Sequence, residues 1–385
     1  MAKKTFDNKV IVFGGSHHNT LGLVRSLGEE SVDVYVVIHG VTSSFVSQSI
    51  YITECKFVKN GNEGIEYIIQ NFSKENLKPI ILCSSDEAAC IVDVNYDRLK
   101  DDFFFANAGK AGRITNYMNK EELVRLAKEC GFNVPRSWSI SNKYPIQNDI
   151  SFPCITKPLL SVQGSKADMF VCHTKQELEE NLLRRKEFCS QFQLQEYLEK
   201  DYEISLLGYI NKKKLVLPGV IKKIREYPIK RGSSSFAVLL PFDEFDIERD
   251  AIKEILERIG YTGLFSIEFI RYEGKNYFLE INFRNDGNGY IPVAAGVNLP
   301  YLLCLSLLGI ENENMQMTVH KPYFFMADFR DFRHIFDKRL TLQRWWKDLR
   351  KTDIFLVYNK YDKTPFICEL KSIIGKGIKR FFRLK

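Results

Sequence analysis

The segment Phe278-Leu279-Glu280-Ile281-Asn282-Phe283-Arg284 alternates a carboxylate, an amide and a guanidinium with apolar residues. In an extended strand successive side chains point to opposite faces, so Glu280, Asn282 and Arg284 share one face while the residues between them pack on the other. Carboxylate and amide oxygens suit a hard divalent cation such as Mg²⁺. A guanidinium beside them suits a phosphate or a developing oxyanion. Upstream, residues 263–270 read as a second strand that carries Glu268, and Tyr272-Glu273-Gly274-Lys275-Asn276 supplies the turn of a hairpin. That hairpin predicts Glu268 beside Glu280 and Asn282. Carboxylates gathered on one face repel, and a bound cation removes the objection. Taken alone, the alternation also suits a solvated face at a sheet edge.

With this hairpin the chain resembles the ATP-grasp superfamily, ligases that include D-alanine–D-alanine ligase, biotin carboxylase and the large subunit of carbamoyl phosphate synthetase. Their metal signature is a Glu or Asp followed by a Glu-x-Asn-Pro-Arg strand. By resemblance Glu268, Glu280 and Asn282 are the metal ligands, and Arg284 stabilises the tetrahedral oxyanion. Phe283 stands where Pro is usual; proline there stiffens the strand and ligates nothing. Further matches lie upstream in the family's order. Asn119-Lys120 opens a helical stretch that ends at Gly131 and is followed by Phe132-Asn133-Val134-Pro135, similar to the superfamily's Asp-Lys, helix, Gly-x-x-x-Pro passage with Asn119 for the Asp. Lys120 is then the first nucleotide-contacting lysine. Phe152-Pro153-Cys154-Ile155-Thr156-Lys157-Pro158 resembles the strand whose lysine, here Lys157, reaches the α- and β-phosphates; a residue before proline is held extended. An ordinary surface lysine is the alternative for both.

Ser161-Val162-Gln163-Gly164-Ser165-Lys166-Ala167 resembles the family's glycine-rich flap, with Gly164 and Ser165 over the phosphates, or else an ordinary hairpin loop. Residues 193–203 resemble the adenine hinge. Glu196 and the backbone of Leu198 would take the adenine edge, Glu203 the ribose hydroxyls, and Ile155 and Leu198 the faces of the base. Glu199 and Asp201 read as solvated. Lys222-Lys223-Ile224-Arg225 opens the densest basic run before the C-terminus, where the resemblance places cations near the triphosphate; Lys222 and Arg225 are the candidates, against a solvated charged loop. Each motif is weak singly. Their order from Asn119 to Arg284 is what makes the resemblance strong.

The elements that must position these groups follow from the pattern of the whole chain. At 385 residues and 45% hydrophobic content the chain can bury more than one core. The expected fold class is α/β and α+β: an N-terminal doubly wound parallel-sheet domain over residues 1–112, a two-subdomain ATP-grasp fold over 113–325, and a helical, basic, aromatic extension over 326–385. Within the middle region, 113–190 is the small nucleotide-binding subdomain and 191–325 the catalytic one. Strands at 10–13, 32–38 and 79–83 with a helix at 21–27 argue for a parallel sheet. Gly14-Gly15 lacks the full Gly-x-Gly-x-x-Gly of a dinucleotide site. The loops 14–18 and 84–87 are candidate substrate loops, because ligands bind at the carboxyl ends of such strands. His17 and His18 are candidate general bases, with solvated loop histidines as the ordinary alternative.

Nine cysteines without a Cys-x-x-Cys spacing, and six histidines that form no zinc-like cluster with them, point to reduced, mostly buried thiols in a cytoplasmic protein. The first residues lack the apolar run of a signal peptide, and no stretch is apolar enough to be a transmembrane segment. The terminal Lys/Arg-Phe-Ile-Leu pattern reads as a basic amphipathic helix that touches anionic lipid or a partner, or simply packs with a solvated basic face. The +7 formal charge gathers partly there and does not imply nucleic-acid binding.

The resemblance implies a carboxylate–amine ligase, D-aspartate ligase-like or carbamoyl-phosphate-synthetase-like, with a single ATP-grasp unit. ATP and Mg²⁺ ions, two by the family pattern and replaceable by Mn²⁺, would activate a carboxylate as an acyl phosphate for attack by an amine. The expected partners are small-molecule carboxylate and amine substrates, an amino acid first among them, and a homodimer is compatible with the chain. Two other classes compete. One is a non-catalytic ATP-binding scaffold with the same fold. The other is a nicotinamide enzyme, disfavoured by the incomplete glycine fingerprint.

Overall fold

The apolar run Val10–Gly14 (β1) has no polar face to offer solvent, so it takes the centre of a sheet. In the computed structural model, which describes residues 5–141, 149–158, 169–183, 191–229, 233–310 and 315–383, β1 is flanked by Val34–His39 (β2) and Ile80–Cys83 (β4). Ile52–Val58 (β3) and Phe104–Phe105 (β5) complete a parallel sheet of order β3-β2-β1-β4-β5. The chain leaves β1 in one direction to β2 and later returns on its other side as β4. The crevice outside the carboxyl ends of β1 and β4 is therefore the topological switch point where ligands bind in such sheets. The helix His18–Gly28 starts there.

A second, antiparallel sheet holds Ser137–Ser141 (β6), Cys154–Pro158 (β7), Phe170–Cys172 (β8) and Gln191–Glu196 (β9) in the order β6-β9-β7-β8. Its small core is Ile140, Ile150, Cys154, Cys172, Leu178 and Leu194. Residues 191–196 thus pair within this sheet, on the far side of the subdomain boundary expected at 190.

The third sheet has eight strands: Tyr202–Asn211 (β10), Lys214–Val216 (β11), Val220–Tyr227 (β12), Ser233–Leu240 (β13), Gly263–Tyr272 (β14), Lys275–Asn282 (β15), Tyr323–Met326 (β16) and Ile354–Phe355 (β17). Its order is β15-β14-β10-β12-β13-β16-β17, with β11 beside β10, and every pairing is antiparallel except β16 with β17. A two-residue turn joins β14 to β15, and Glu273 and Gly274 both hold positive φ there, 46° and 74°. That geometry matches the twist of a tight hairpin and fixes its register.

The expected boundary at 325/326 falls inside β16, because the C-terminal region adds two strands to this sheet. The rest of it is mainly helical, at Asp328–Phe336, Leu342–Lys351 and Thr364–Arg383. A buried ion pair ties it to the first domain: Arg25 Nε donates to Asp362 Oδ2 at 3.0 Å, and Nη2 donates to the carbonyls of Val357 and Asp362, each at 2.9 Å. Both side chains are 0% exposed. Removing one partner would strand the other charge in the interior, which is why such pairs are costly to break. The eight described cysteines are free thiols, five of them buried. Among the described residues no helix is long and apolar enough to cross a membrane.

Candidate active site

The β14–β15 hairpin does what its alternation predicts. Ile267, Phe269, Phe278 and Ile281 are buried, which commits the carboxylates to the other face. Glu268 lies directly opposite Glu280 in the register, and Ser266 opposite Asn282; a bulge beyond Glu268 accommodates one extra residue on β15. Asn282 Nδ2 donates to Ser266 Oγ at 3.2 Å, and Asn282 Oδ1 accepts from Arg284 Nη2 at 3.2 Å. The strand ends at Asn282, so Arg284 follows in a bend rather than continuing the ladder. Phe283, in the usual proline position, is fully buried edge-to-face on Tyr261, with ring centroids 5.1 Å apart. It anchors the bend by packing instead of by ring stiffness.

Arg284 reaches across to the first domain. Nε and Nη2 fork onto Asp86 at 2.7 and 3.2 Å, and Nη1 donates to the Asn285 carbonyl at 3.0 Å. Burial opposes its charge, but Asp86 and then Asp286 and Glu280 more than offset that and raise its pKa. A second link lies beside the first. Asn19, near the start of the helix His18–Gly28, donates to the carbonyls of Ser84 and Asn285 at 2.8 and 2.7 Å, and Asn285 Nδ2 donates back to Asn19 Oδ1 at 2.5 Å. The switch-point crevice and the acidic hairpin are thereby one structure.

Between them is a cavity of about 480 Å³. Glu268, Glu280, Asn282, Arg284 and Lys120 line it, together with the loops at Gly15–Asn19 and 84–86. The Gly14 backbone passes so close to Ser84 that a Cβ there would lie 1.9 Å from its Oγ and would have to displace that hydroxyl.

Lys120 is the first residue of the helix Lys120–Glu129, and Asn119 caps it by accepting from the Glu121 N–H at 2.9 Å. Asn caps as well as Asp, so the cap is kept with Asn119 where the resemblance expects Asp. Lys120 is 7% exposed. Lys157, on β7, donates to Gln195 Oε1 at 2.5 Å. Burial pushes its pKa from 10.5 down to about 8; Glu280 is the leading attraction against that, and Lys120 adds repulsion.

The basic strand β12 departs from expectation. Lys222 points away from the cavity, its ammonium 3.9 Å from the centroid of the Tyr202 ring. Its neighbour Lys223 lines the cavity instead and pairs with Glu203. Burial opposes the Lys223 charge, but Glu268 and Glu203 raise its pKa. Arg225 is also committed elsewhere. It donates to Asp331 at 3.0 and 2.8 Å and to Asp348 at 2.6 Å, bracing the C-terminal helices. Neither Lys222 nor Arg225 is among the residues that line the cavity.

Glu203 is half-buried between Lys223 and Lys200. Burial alone would raise its pKa, and the two ammonium groups hold it down at about 2. Glu196 ends β9, where its carboxylate accepts the Arg136 N–H at 3.3 Å. Leu198 is buried, whereas Glu199 and Asp201 are exposed. Gly164 and Ser165 lie outside the described residues. His17 and His18 both line the cavity. His17 caps its helix by accepting the Asn19 N–H at 3.2 Å. Dehydration, then Arg330 and Arg284, lower its pKa, although the residue is exposed at the cavity mouth; dehydration, His17 and Arg330 lower that of the half-buried His18. Sequence reading did not single out Lys223, Asn19 or Asp286. Asp286 lines the same cavity and accepts from Ser266 Oγ at 3.2 Å.

The donor set suits one class of cation. Among the described residues no three or more His, Cys, Asp or Glu side chains form a metal cage. Two carboxylates and an amide opening onto a cavity fit Mg²⁺, which keeps waters and takes one or two carboxylates together with substrate phosphates. Glu268 and Glu280 face one another across the hairpin, and Lys223 near Glu268 and Lys157 and Arg284 near Glu280 offset part of their repulsion.

Over 178 residues, 43% of this chain and 55% of the relative, the sequence is 30% identical to D-alanine–D-alanine ligase of Fusobacterium nucleatum subsp. nucleatum. Over 177 residues, 43% of this chain and 16% of the relative, it is 28% identical to the carbamoyl phosphate synthase large chain of Helicobacter pylori. In both cases the match spans only about half or less of the relative's length. Among solved structures, N5-carboxyaminoimidazole synthetase of Staphylococcus aureus complexed with ADP matches with a TM-score of 0.66 over 87% of this chain and 86% of that one, at 15% identity, a likeness of fold. No family model matches the chain.

Proposed function

We propose that this chain is a member of the ATP-grasp superfamily and an ATP-dependent ligase joining a carboxylate, an amino acid foremost, to an amine. The observation that carries this reading is the convergence of Glu268, Glu280, Asn282, Arg284, Lys120 and Lys223 on one cavity at the switch point. A sister function on the same fold, ATP binding without turnover, has no need of an arginine held by a second domain beside the metal hairpin.

Adenine would lie by Glu196 and Leu198, and the ribose by Glu203. Lys120, Lys157 and Lys223 face the phosphates, with Gly164 and Ser165 as flap residues. Glu268, Glu280 and Asn282 would hold Mg²⁺, which supplies charge neutralisation for the transferring phosphoryl group. The substrate carboxylate attacks the γ-phosphorus, the bond to the β–γ bridging oxygen breaks, and ADP leaves. The amine then attacks the acyl carbon of the acyl phosphate, the acyl C–O bond breaks, phosphate leaves, and the amine nitrogen loses a proton. Arg284 donates to the tetrahedral oxyanion in that step. His17 and His18 line the same cavity, but their lowered pKa values make them weak proton acceptors, so the departing phosphate takes that proton. The test is phosphate release from Mg-ATP across a panel of amino acids and other carboxylates with amine acceptors. Release that requires both substrates establishes the ligase. Nucleotide binding without release across the panel returns the scaffold reading, and absence of nucleotide binding overturns both.

Lys157 gives this reading a pH signature. Its folded pKa of about 8 lies below the ordinary 10.5, so the unliganded protein bears the cost of a buried ammonium below pH 8 and sheds it as pH rises from there through the ordinary lysine range. Phosphate oxygens restore the ammonium. Nucleotide binding is therefore expected to take up most of a proton at pH 8.5 and none at pH 6.5. Calorimetry in two buffers of different ionisation enthalpy reads this directly. Uptake that is absent at both pH values, or unchanged in Lys157→Met, sinks the placement of Lys157 at the phosphates.

The C-terminal extension carries a separate proposal, contact with an anionic membrane surface. Residues 338–385 hold 14 Lys and Arg against 4 Asp and Glu, +10 within a chain of +7, so the preceding residues are net negative. Leu342, Trp346, Tyr361, Ile367 and Ile374 are exposed among these charges. Apolar side chains that insert, surrounded by cations that stay at the headgroups, suit an interfacial surface. Co-sedimentation is expected with vesicles containing phosphatidylglycerol and not with phosphatidylcholine alone, weakened by Trp346→Ala with Arg350→Glu. Equal sedimentation with both vesicles, or with neither, overturns it.

A further inference from the structure

The loop after β4 carries Ser85, which lines the cavity and caps the helix Asp86–Val94 by accepting the Ala88 N–H at 3.2 Å. His39, the last residue of β2, has its Nε2 3.3 Å from Ser85 Oγ, and its Nδ1 faces Glu87 Oε2 at 3.5 Å. Glu87 is held in turn, because its Oε1 accepts the Gly61 N–H at 3.2 Å. A carboxylate can only accept, so the ring proton belongs on Nδ1, and Nε2 is left to accept the Ser85 hydroxyl proton. A hydroxyl has one proton and two lone pairs. Ser85 gives the proton to His39 and one lone pair to Ala88, and among the described residues its second lone pair stays open to a donor in the cavity. An incoming ammonium is such a donor. The position suits the second substrate, because the adjoining Asp86 grips Arg284, the group assigned to the oxyanion at the acyl carbon. A serine that only caps its helix needs neither an imidazole on its hydroxyl nor a carboxylate behind that imidazole.

We propose that Ser85, His39 and Glu87 form a proton relay that turns the incoming ammonium substrate into a free amine. The proposal rests on the ligase reading above. An amino acid arrives largely as the ammonium near neutral pH, and an ammonium nitrogen has no lone pair with which to attack carbon. One N–H proton passes to Ser85 Oγ as the Ser85 hydroxyl proton passes to His39 Nε2, so the serine ends unchanged and the imidazole becomes an imidazolium. Glu87 steadies that charge; about half of its side chain is exposed, and there the proton passes on to water. The nitrogen, now carrying its lone pair, attacks the acyl carbon. The further proton that it sheds after the attack goes to the departing phosphate, so two protons leave the nitrogen by two routes.

Hydroxylamine separates the relay from the rest of the machinery, because near neutral pH it is mostly the free base and needs no proton removed before it attacks. Phosphate release from Mg-ATP is measured at pH 7.5 with a mixture of the common amino acids, which supplies both carboxylates and ammonium groups, and again with hydroxylamine added. His39→Gln is expected to lower the first rate by about 10²-fold and the increment due to hydroxylamine by no more than about threefold. Glu87→Gln, at an exposed position that the fold tolerates, should show the same selectivity with a smaller loss. Equal loss with both acceptors in both variants makes the three side chains structural and overturns the relay. Wild type that is inert with both acceptors brings down the ligase reading, and this inference with it. Wild-type turnover that both variants keep with both acceptors removes the relay alone.

Discussion

Replacing Glu280 with Gln is expected to lower phosphate release by about 10³-fold while changing the stability of the unliganded protein little. The two halves of that expectation have one cause. Gln fills the same space but brings no charge, so the site loses the carboxylate that would join a cation to the phosphates. Glu280 lies directly opposite Glu268 in the hairpin, and without a cation that pairing of like charges is unfavourable. Relieving it works in favour of the folded chain, while Lys157 and Arg284 lose a nearby carboxylate, so the two effects oppose one another. A second consequence falls on Lys157, for which Glu280 is the leading attraction against burial; its pKa should drop below about 8 in the variant, weakening nucleotide binding most at alkaline pH. Steady-state phosphate release and thermal unfolding on the same preparation read both halves. Activity within tenfold of wild type would sink the metal assignment. A large loss of stability would instead mark Glu280 as a structural residue, and Glu280→Asp, which keeps the charge, would then fail to recover turnover in Mg²⁺.

The acidic hairpin was legible because its information is local. Alternation places Glu280 and Asn282 on one face, a Glu-Gly turn closes the hairpin, and the buried partners Ile267, Phe269 and Ile281 leave Glu268 no other side to occupy. The helix opened by Asn119 and Lys120 was legible for the same reason. What escaped depends on partners far away in sequence. A run such as Lys222-Lys223-Ile224-Arg225 fixes the alternation but not which parity faces the cavity. That is settled by pairing with β10 and β13 and by the register shifts after Lys223, and it selects Lys223 over Lys222. Arg225 went to Asp331 and Asp348, more than a hundred residues on. β3 was not read as a strand because it is a sheet edge with much of its length exposed, so its Ile-Thr-Glu-Cys-Lys-Phe-Val carries little apolar signal. β16 and β17 escaped because nothing in a short aromatic segment announces that it will extend a sheet begun a hundred residues earlier.

Arg284→Lys is expected to lower kcat by about 10²- to 10³-fold with nucleotide affinity held within about threefold. The prediction turns on geometry rather than charge. The guanidinium uses Nε and Nη2 to grip Asp86 and Nη1 to meet the Asn285 carbonyl, so its plane is fixed from the first domain before any substrate arrives. Lysine keeps the charge but has no fork; it can satisfy Asp86 or point into the cavity, not both. Because Arg284 is assigned to the oxyanion of the second step, the loss should appear in amide formation while ATP still binds. Asp86→Asn keeps the arginine but weakens its anchor, and a smaller loss, about tenfold, is expected there, in the range for a residue that acts by orienting another. The ordering of the two variants is the sharper test. If Asp86→Asn cost as much as Arg284→Lys, Asp86 would itself touch substrate. If Arg284→Lys raised KM for ATP and spared kcat, the guanidinium would belong to the nucleotide, and the oxyanion would need another donor.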